Sequence, residues 1–344
     1  VGMGSELAQH FPLAKEAWEE GKKVDFGTEW LHDVVYPIPV FSDQERKEQQ
    51  LHLTKTQWAQ PAIGVTSLSM LNLVREMGIE ADYCAGHSYG ELTALYYGGY
   101  YSTQAFIRIS QKRGQLMNEA AKISGSMSAV KASAKKLQPM IKASGFDVVI
   151  ANHNSPKQSV ISGRTAEIEK MEAYLSEMGV FAQRLGVATA FHSSVVSGSV
   201  RPFSEFLSGI PMQQPSSTVY SNSTAGFYPS EEADVKKILA NQIANPVRFV
   251  ETIEDMYAKG VRTFIEIGPK TILSKLVGSI LRRKEFTTVG LDRSGKSSVF
   301  GFLNGIAELA TLGHAFDTSV LWTDYAEPTD LSTRKKAKLP ISIN

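Results

Sequence analysis

Apolar positions recur every three to four residues over 5–20, where Leu7, Phe11, Leu13 and Trp18 alternate with charge, and the period predicts a helix. Around Pro37 and Pro39 the period is lost, so 21–50 are expected to be irregular, ending in the polar run Asp43–Gln50, read as a solvated helix face. A longer helix follows, with Pro61 in its first turn and an apolar stripe of Ile63, Leu68, Leu71, Leu73 and Val74, closed at Met77-Gly78. Tyr83-Cys84 reads as the end of a buried strand, and from Leu92 a helix is expected to about Tyr97. Another spans Thr103 to about Ala121.

Between 126 and 189 the pattern changes. Strands are expected at Ser126–Val130, Asp147–Ala151, Gln158–Ser162 and Phe181–Val187, with helices at Ala132–Ala143 and Thr165–Met178. That order, β-α-β-β-α-β, is the split unit of a ferredoxin-like fold. Helical patterning resumes at about Val195–Leu207, a strand ends at Val219–Asn222, and a helix from Ala233 stops before Asn245-Pro246. A further helix leads to the buried strand Thr263–Pro269, and 298–312 form a last helix. The fold class is therefore α/β. A large, discontinuous subdomain with a parallel sheet (1–125 and 190–312) carries an inserted small ferredoxin-like subdomain (126–189), and 313–344 are linker-like, with Pro328 and Pro340. An insertion of this kind creates a cleft between the two parts, where ligands commonly sit.

With 344 residues and 42% apolar content the chain can bury a large core, and a net charge of +1 gives no reason to expect nucleic acid or a charged surface as partner. The one basic cluster, Arg334–Lys338, is read as part of the solvated linker. Cys84 is the single cysteine, which excludes an internal disulfide and fits a reducing cytoplasm. No apolar run approaches membrane-spanning length, and Val1 opens what reads as the middle of an element, as in a piece of a longer polypeptide.

Chemistry concentrates at Gly86-His87-Ser88-Tyr89-Gly90. A serine between two glycines, on a tight strand-to-helix turn, is a nucleophile elbow. The glycines let strand and helix pass closely, and the backbone N–H of Tyr89, at a helix N-terminus, is a candidate oxyanion donor. A serine nucleophile needs a base, usually a histidine held by an acceptor. His87 adjoins the serine, but neighbouring side chains on an elbow point apart. His192 lies at the exit of the inserted unit, and His314 follows Asp292 in the order Ser88, Asp292, His314 of an α/β-hydrolase triad. Spacing alone leaves His192 and His314 level.

The chain resembles the acyltransferase domains of the malonyl-CoA:acyl-carrier-protein transacylase family, found in polyketide and polyunsaturated fatty acid synthases. The resemblance rests on Thr56-Gln-Trp-Ala-Gln60-Pro61-Ala62, Gly86–Glu91, Arg113-Gly114 with Met117, Asn152-His-Asn154-Ser-Pro156 and Ala190-Phe191-His192-Ser193. It continues through Gln242-Ile-Ala-Asn245-Pro246-Val247, Glu266-Ile-Gly268-Pro269, Leu291-Asp292-Arg293 and Lys338-Leu339-Pro340. It implies that Ser88 attacks the thioester of an acyl donor, that His192 is the base, and that Asp292 and His314 are not part of the site. The family orients its histidine with a backbone carbonyl, which places Gln242 in that role with Asn222 nearby. Arg113 would pair with the carboxylate of a malonyl-type group, and Gln60, His87, Met117 and Phe191 would line the substrate site. No cofactor is implied and no metal ligand set is assigned. The substrates would be a malonyl-CoA-type donor and a phosphopantetheinyl acyl carrier protein, beside a neighbouring ketosynthase domain.

Two departures qualify the match. The family's Gly-Gln-Gly-x-Gln loop supplies a second oxyanion donor, and Val1-Gly2-Met3-Gly4 resembles the residues just after it, so that donor is assigned to no residue here. Ala190-Phe191-His192 resembles malonyl-using members, whereas Thr189 stands where these often carry histidine. The wording of 40–66 is similar to polyunsaturated fatty acid and enediyne-type synthases. Other readings stay open: a methylmalonyl donor or an unusual extender such as hydroxymalonyl or aminomalonyl on a carrier protein, a serine esterase or thioesterase using Asp292 and His314, or a non-catalytic docking domain.

Overall fold

The computed structural model describes residues 1–27, 29–187 and 189–323. Eight strands are formed among them: β1 (Tyr83–Cys84), β2 (Gly125–Val130), β3 (Val148–Ser155), β4 (Gln158–Arg164), β5 (Ala182–Arg184), β6 (Thr218–Val219), β7 (Thr263–Glu266) and β8 (Thr287–Gly290). β1 pairs with β6 and β7 with β8, both in parallel, and helices pack around them. β2 to β5 make an antiparallel sheet in the order β3-β4-β2-β5, as the split βαββαβ unit requires. The fold is thus the expected α/β combination of a large part with parallel pairing and a smaller antiparallel part.

Each part has its own core. Leu137, Ile168, Met171 and Leu175, from the helices Ala134–Ser144 and Thr165–Glu177, close over Val130, Val148 and Ile161 of the antiparallel sheet. The large part is built on the helix Thr56–Glu76, buried along most of its length against Leu92, Leu95, Phe106 and Ile109. The parts join where the edge strand β3 meets the chain after Pro246: His153 N–H donates to Val247 O (2.9 Å) and Val247 N–H to Ala151 O (2.8 Å).

Local rules account for several departures from the sequence expectations. The first helical stretch is two helices, Ser5–His10 and Pro12–Lys22, because Phe11 precedes a proline and is extended (φ −122°, ψ 118°). The segment expected to be irregular contains the helix Leu31–Val35, and Ser42 caps Asp43–Thr54 reciprocally with Glu45. Pro61 lies well inside its helix rather than in the first turn, since the helix already begins at Thr56. The stretch after His192 opens as a 3₁₀ turn, Ser194–Ser199, before the α-helix Val200–Ser208. Of the C-terminal linker, Pro328, Pro340 and the Arg334–Lys338 cluster lie outside the described residues. Among the described residues no helix is long and apolar enough to cross a membrane.

Candidate active site

Ser88 sits on the turn between β1 and the helix Gly90–Tyr97, with φ 52°. A left-handed conformation in a non-glycine residue costs about 1–3 kcal/mol and persists only where the surroundings fix it. Here three hydrogen bonds do so. Ser88 N–H donates to Asn222 Oδ1 (2.6 Å), Gln242 Nε2 donates to Ser88 O (2.7 Å), and Asn222 Nδ2 donates to Gly86 O (2.6 Å). Among the described residues the N–H of Tyr89 has no hydrogen-bond acceptor, as an oxyanion donor requires.

Gly86 is where strand and helix cross. A Cβ there would lie 2.0 Å from the carbonyl carbon of Gly90 and 2.2 Å from the nitrogen of Glu91. Both are backbone atoms and cannot swing aside. Gly86→Ala is therefore expected to cost about 3 kcal/mol or more of stability, read as a large fall in melting temperature. A variant melting with the wild type would show that this crossing is loose.

His192 meets the serine: Ser88 Oγ and His192 Nε2 are 2.8 Å apart. Its other nitrogen, Nδ1, lies 2.9 Å from Asn245 O and 3.1 Å from Gln242 O. Carbonyls only accept, so Nδ1 carries the proton and Nε2 presents its lone pair to Ser88. Burial, then the Arg113 charge and His87, push the His192 pKa down to about 3. The ring is a neutral base across the physiological range. Among the described residues no carboxylate takes part, in contrast to the triad of Asp292 and His314. Asp292 instead accepts from Lys270 N–H (2.7 Å), and His314 lies exposed with Nε2 3.4 Å from Thr263 Oγ1.

Arg113 is 1% exposed on the helix Thr103–Ala120. Nη1 donates to Gln60 Oε1 (2.8 Å) and Nη2 to Gln242 Oε1 (3.0 Å), while Nε has no partner. Gln60 in turn donates to Met117 Sδ (3.0 Å). Among the described residues this guanidinium hydrogen-bonds neutral groups alone, and burial lowers its pKa to about 10, with Glu91 the largest opposing influence. A buried cation capped by amides has an unmet preference for an anion. Gln242 therefore ties three features together, since its carbonyl orients His192 and its side chain joins Ser88 to Arg113.

Two expected residues play other parts. Asn222, placed beside His192 by the resemblance, makes no bond to that ring and holds the elbow instead. His87 points away from the serine and bonds through Nε2 to Asn154 Oδ1 of β3 (2.7 Å), so it links the elbow to the small sheet. Phe191 is partly buried between the large core and Met127, Ala151 and Val160 of the small part. Thr189 is fully buried with its hydroxyl unpartnered, while the Tyr89 hydroxyl is engaged by Ser110 (2.8 Å). Sequence reasoning missed the carbonyl of Asn245 and the side chain of Asn154, although both lie in stretches that carry the resemblance.

An α/β fold that offers a strained serine to a neutral, carbonyl-oriented histidine defines the class of serine-nucleophile enzymes. Within it, the chain belongs to the acyl transferase domain family, whose profile matches residues 1–315, and it is an acyltransferase. It is 35% identical over 289 residues to the malonyl CoA-acyl carrier protein transacylase of Bacillus subtilis, covering 82% of this chain and 87% of that protein. It is 27% identical over 361 residues to a polyunsaturated fatty acid synthase polypeptide of a Thraustochytrium species, covering 99% of this chain but 12% of that polypeptide. Among solved structures, the acyltransferase domain from the second module of the salinomycin polyketide synthase superposes with a TM-score of 0.82 at 28% identity, over 95% of this chain and 75% of that one.

Proposed function

We propose that the domain moves a malonyl-type acyl group from coenzyme A to an acyl carrier protein through an ester on Ser88. The observation that carries this reading is the 2.8 Å contact of Ser88 with a neutral His192, beside a buried Arg113 that lacks an anion. Ser88 attacks the thioester carbonyl as His192 takes its proton, and Tyr89 N–H meets the developing oxyanion. The thiolate of coenzyme A takes the proton back on leaving. The phosphopantetheine thiol of the carrier protein then repeats the cycle in reverse and carries off the acyl group. Arg113 holds the free carboxylate bidentately, a task suited to a planar guanidinium. The parts acting together are 1–125 with 190–312, around the insertion 126–189. Their setting is a cytoplasmic synthase with a ketosynthase neighbour.

Intact-protein mass spectrometry after incubation with malonyl-CoA tests the reading. A malonyl adduct on the Ser88 peptide that disappears when holo-carrier protein is added is the expected result. No adduct would point to a docking domain, and an adduct lost to water without transfer would point to an esterase.

Phe191 adjoins His192, so its ring stands near the α-carbon of the acyl group and fills space that a methyl branch would need. One methyl of misfit is worth about 1–3 kcal/mol, giving a real but leaky preference for malonyl over methylmalonyl. Phe191→Ser should narrow that preference in direct competition without inverting it. A wild-type preference for methylmalonyl or hydroxymalonyl, on coenzyme A or on carrier protein, would show that Phe191 is not the gate.

A further inference from the structure

Glu91 is fully buried in the first turn of the helix that follows the nucleophile, yet the acyl-transfer steps above give it nothing to do. No cation forms an ion pair with it among the described residues. Oε2 accepts the backbone N–H of Asn222 (3.1 Å), and Oε1 accepts the hydroxyl of Tyr228. Asn222 is the residue whose side chain spans the elbow, taking Ser88 N–H and giving to Gly86 O. A carboxylate thus holds the backbone of the residue that holds both ends of the strained turn.

We propose that Glu91 is a positioning residue for the nucleophile, acting through Asn222 to keep Ser88 Oγ and the Tyr89 N–H in the geometry that acylation needs. The inference rests on Ser88 being the acylated residue. An anion makes the bond to Asn222 N–H charge-assisted, about twice as strong as a neutral one. Loosening it lets Asn222 shift, and the positive φ of Ser88 then relaxes together with the adjoining Tyr89 peptide. The loss falls chiefly on the chemical step, because Glu91 bonds to Asn222 and Tyr228 and reaches Arg113 through its charge and not through an ion pair.

The charge on Glu91 is adjustable. Burial pushes its pKa up to about 7, against the pull of the Tyr228 hydroxyl, Asn222 N–H, Gln242 and the Arg113 charge. Tyr228, from the loop after Phe227, and Tyr101 are the other titratable groups facing it, and both are raised well above the ordinary tyrosine value. His192, lowered to about 3, titrates far below. The acylation rate at saturating donor should therefore fall as pH falls through about 7, as Glu91 takes up a proton and the bond to Asn222 weakens.

The test measures single-turnover acylation of Ser88 over a range of malonyl-CoA concentrations up to saturation, between about pH 6 and 9, by adduct mass, in the wild type, Glu91→Gln and Tyr228→Phe. Glutamine keeps the shape and can still accept from Asn222 N–H, but it has no charge to lose. Glu91→Gln is expected to acylate about tenfold more slowly than the wild type above pH 8 at saturating donor, with no inflection near neutrality. It should meet the wild-type rate on the acid side. Tyr228→Phe removes a donor that favours the ionised form, so it should move the inflection upward. A Glu91→Gln rate equal to wild type throughout overturns the proposal, as does a loss confined to KM. Should that variant fail to fold, an unmoved inflection in Tyr228→Phe overturns it equally. A wild type that never forms the adduct would instead defeat the acyl-Ser88 reading, which the comparison of variants leaves separate.

Discussion

Ser88→Ala is expected to abolish the adduct formed from malonyl-CoA, and His192→Ala to slow its formation about 100- to 10,000-fold. The first effect follows because no other hydroxyl stands where Ser88 Oγ does, 2.8 Å from a neutral imidazole. The second follows from the depressed His192 pKa of about 3, which keeps the ring free to accept a proton at any physiological pH. Two backbone carbonyls set its tautomer, so no single carboxylate substitution should reproduce the loss. Asp292→Ala and His314→Ala are the controls and should acylate at the wild-type rate, because both lie away from the serine in contacts of their own. Quench-flow followed by mass spectrometry of the Ser88 peptide distinguishes the outcomes. Labelling of the same peptide in Ser88→Ala would overturn Ser88 as the nucleophile, whereas a failure of His314→Ala with His192→Ala intact would replace this mechanism with the hydrolase triad.

How much of this was legible in the sequence depends on whether the cause was local. The elbow was, because Gly86 and Ser88 answer to a close crossing and a positive φ within five residues of chain. The small sheet was also legible, since its strands and helices are regular and follow one another directly. The choice between His192 and His314 was not, because the groups that orient His192 are main-chain carbonyls, which leave no trace in residue identity. Only the resemblance separated the two. Arg113 falls on the same face of its helix as Phe106, Ile109, Leu116 and Met117, but a charged residue type gives no sign of full burial, which comes from packing between helices distant in sequence. One local signal was present: a Cβ on Gly114 would lie 2.5 Å from Thr56 O, so a glycine beside the arginine marks that contact. Glu91 stood inside the quoted motif, yet its partners lie 131 and 137 residues away, and its role could not be read before the chain was folded.

Neutralising Arg113 is expected to convert a malonyl-selective domain into one that tolerates uncharged acyl groups. The guanidinium is buried among neutral amides with Nε unpaired, so an incoming carboxylate meets an unsatisfied cation. A charge-assisted pair of this kind contributes about 1.5–3 kcal/mol, or about ten- to a hundredfold in discrimination. Truncation to alanine alone would be ambiguous, since it also strips a donor from Gln242, whose amide holds Ser88 O and whose carbonyl orients His192. Arg113→Gln is the cleaner variant, because its amide can still donate towards that side chain while carrying no charge. For both variants, malonyl loading should fall by the stated factor while acetyl loading holds or rises, as the cost of leaving a buried cation unpaired disappears. Loading is read as the ratio of the two adducts on Ser88 in direct competition, which cancels any general loss of active protein. Equal loss of both acyl groups in Arg113→Gln would show that Arg113 only braces Gln242, and the carboxylate would have to be held elsewhere.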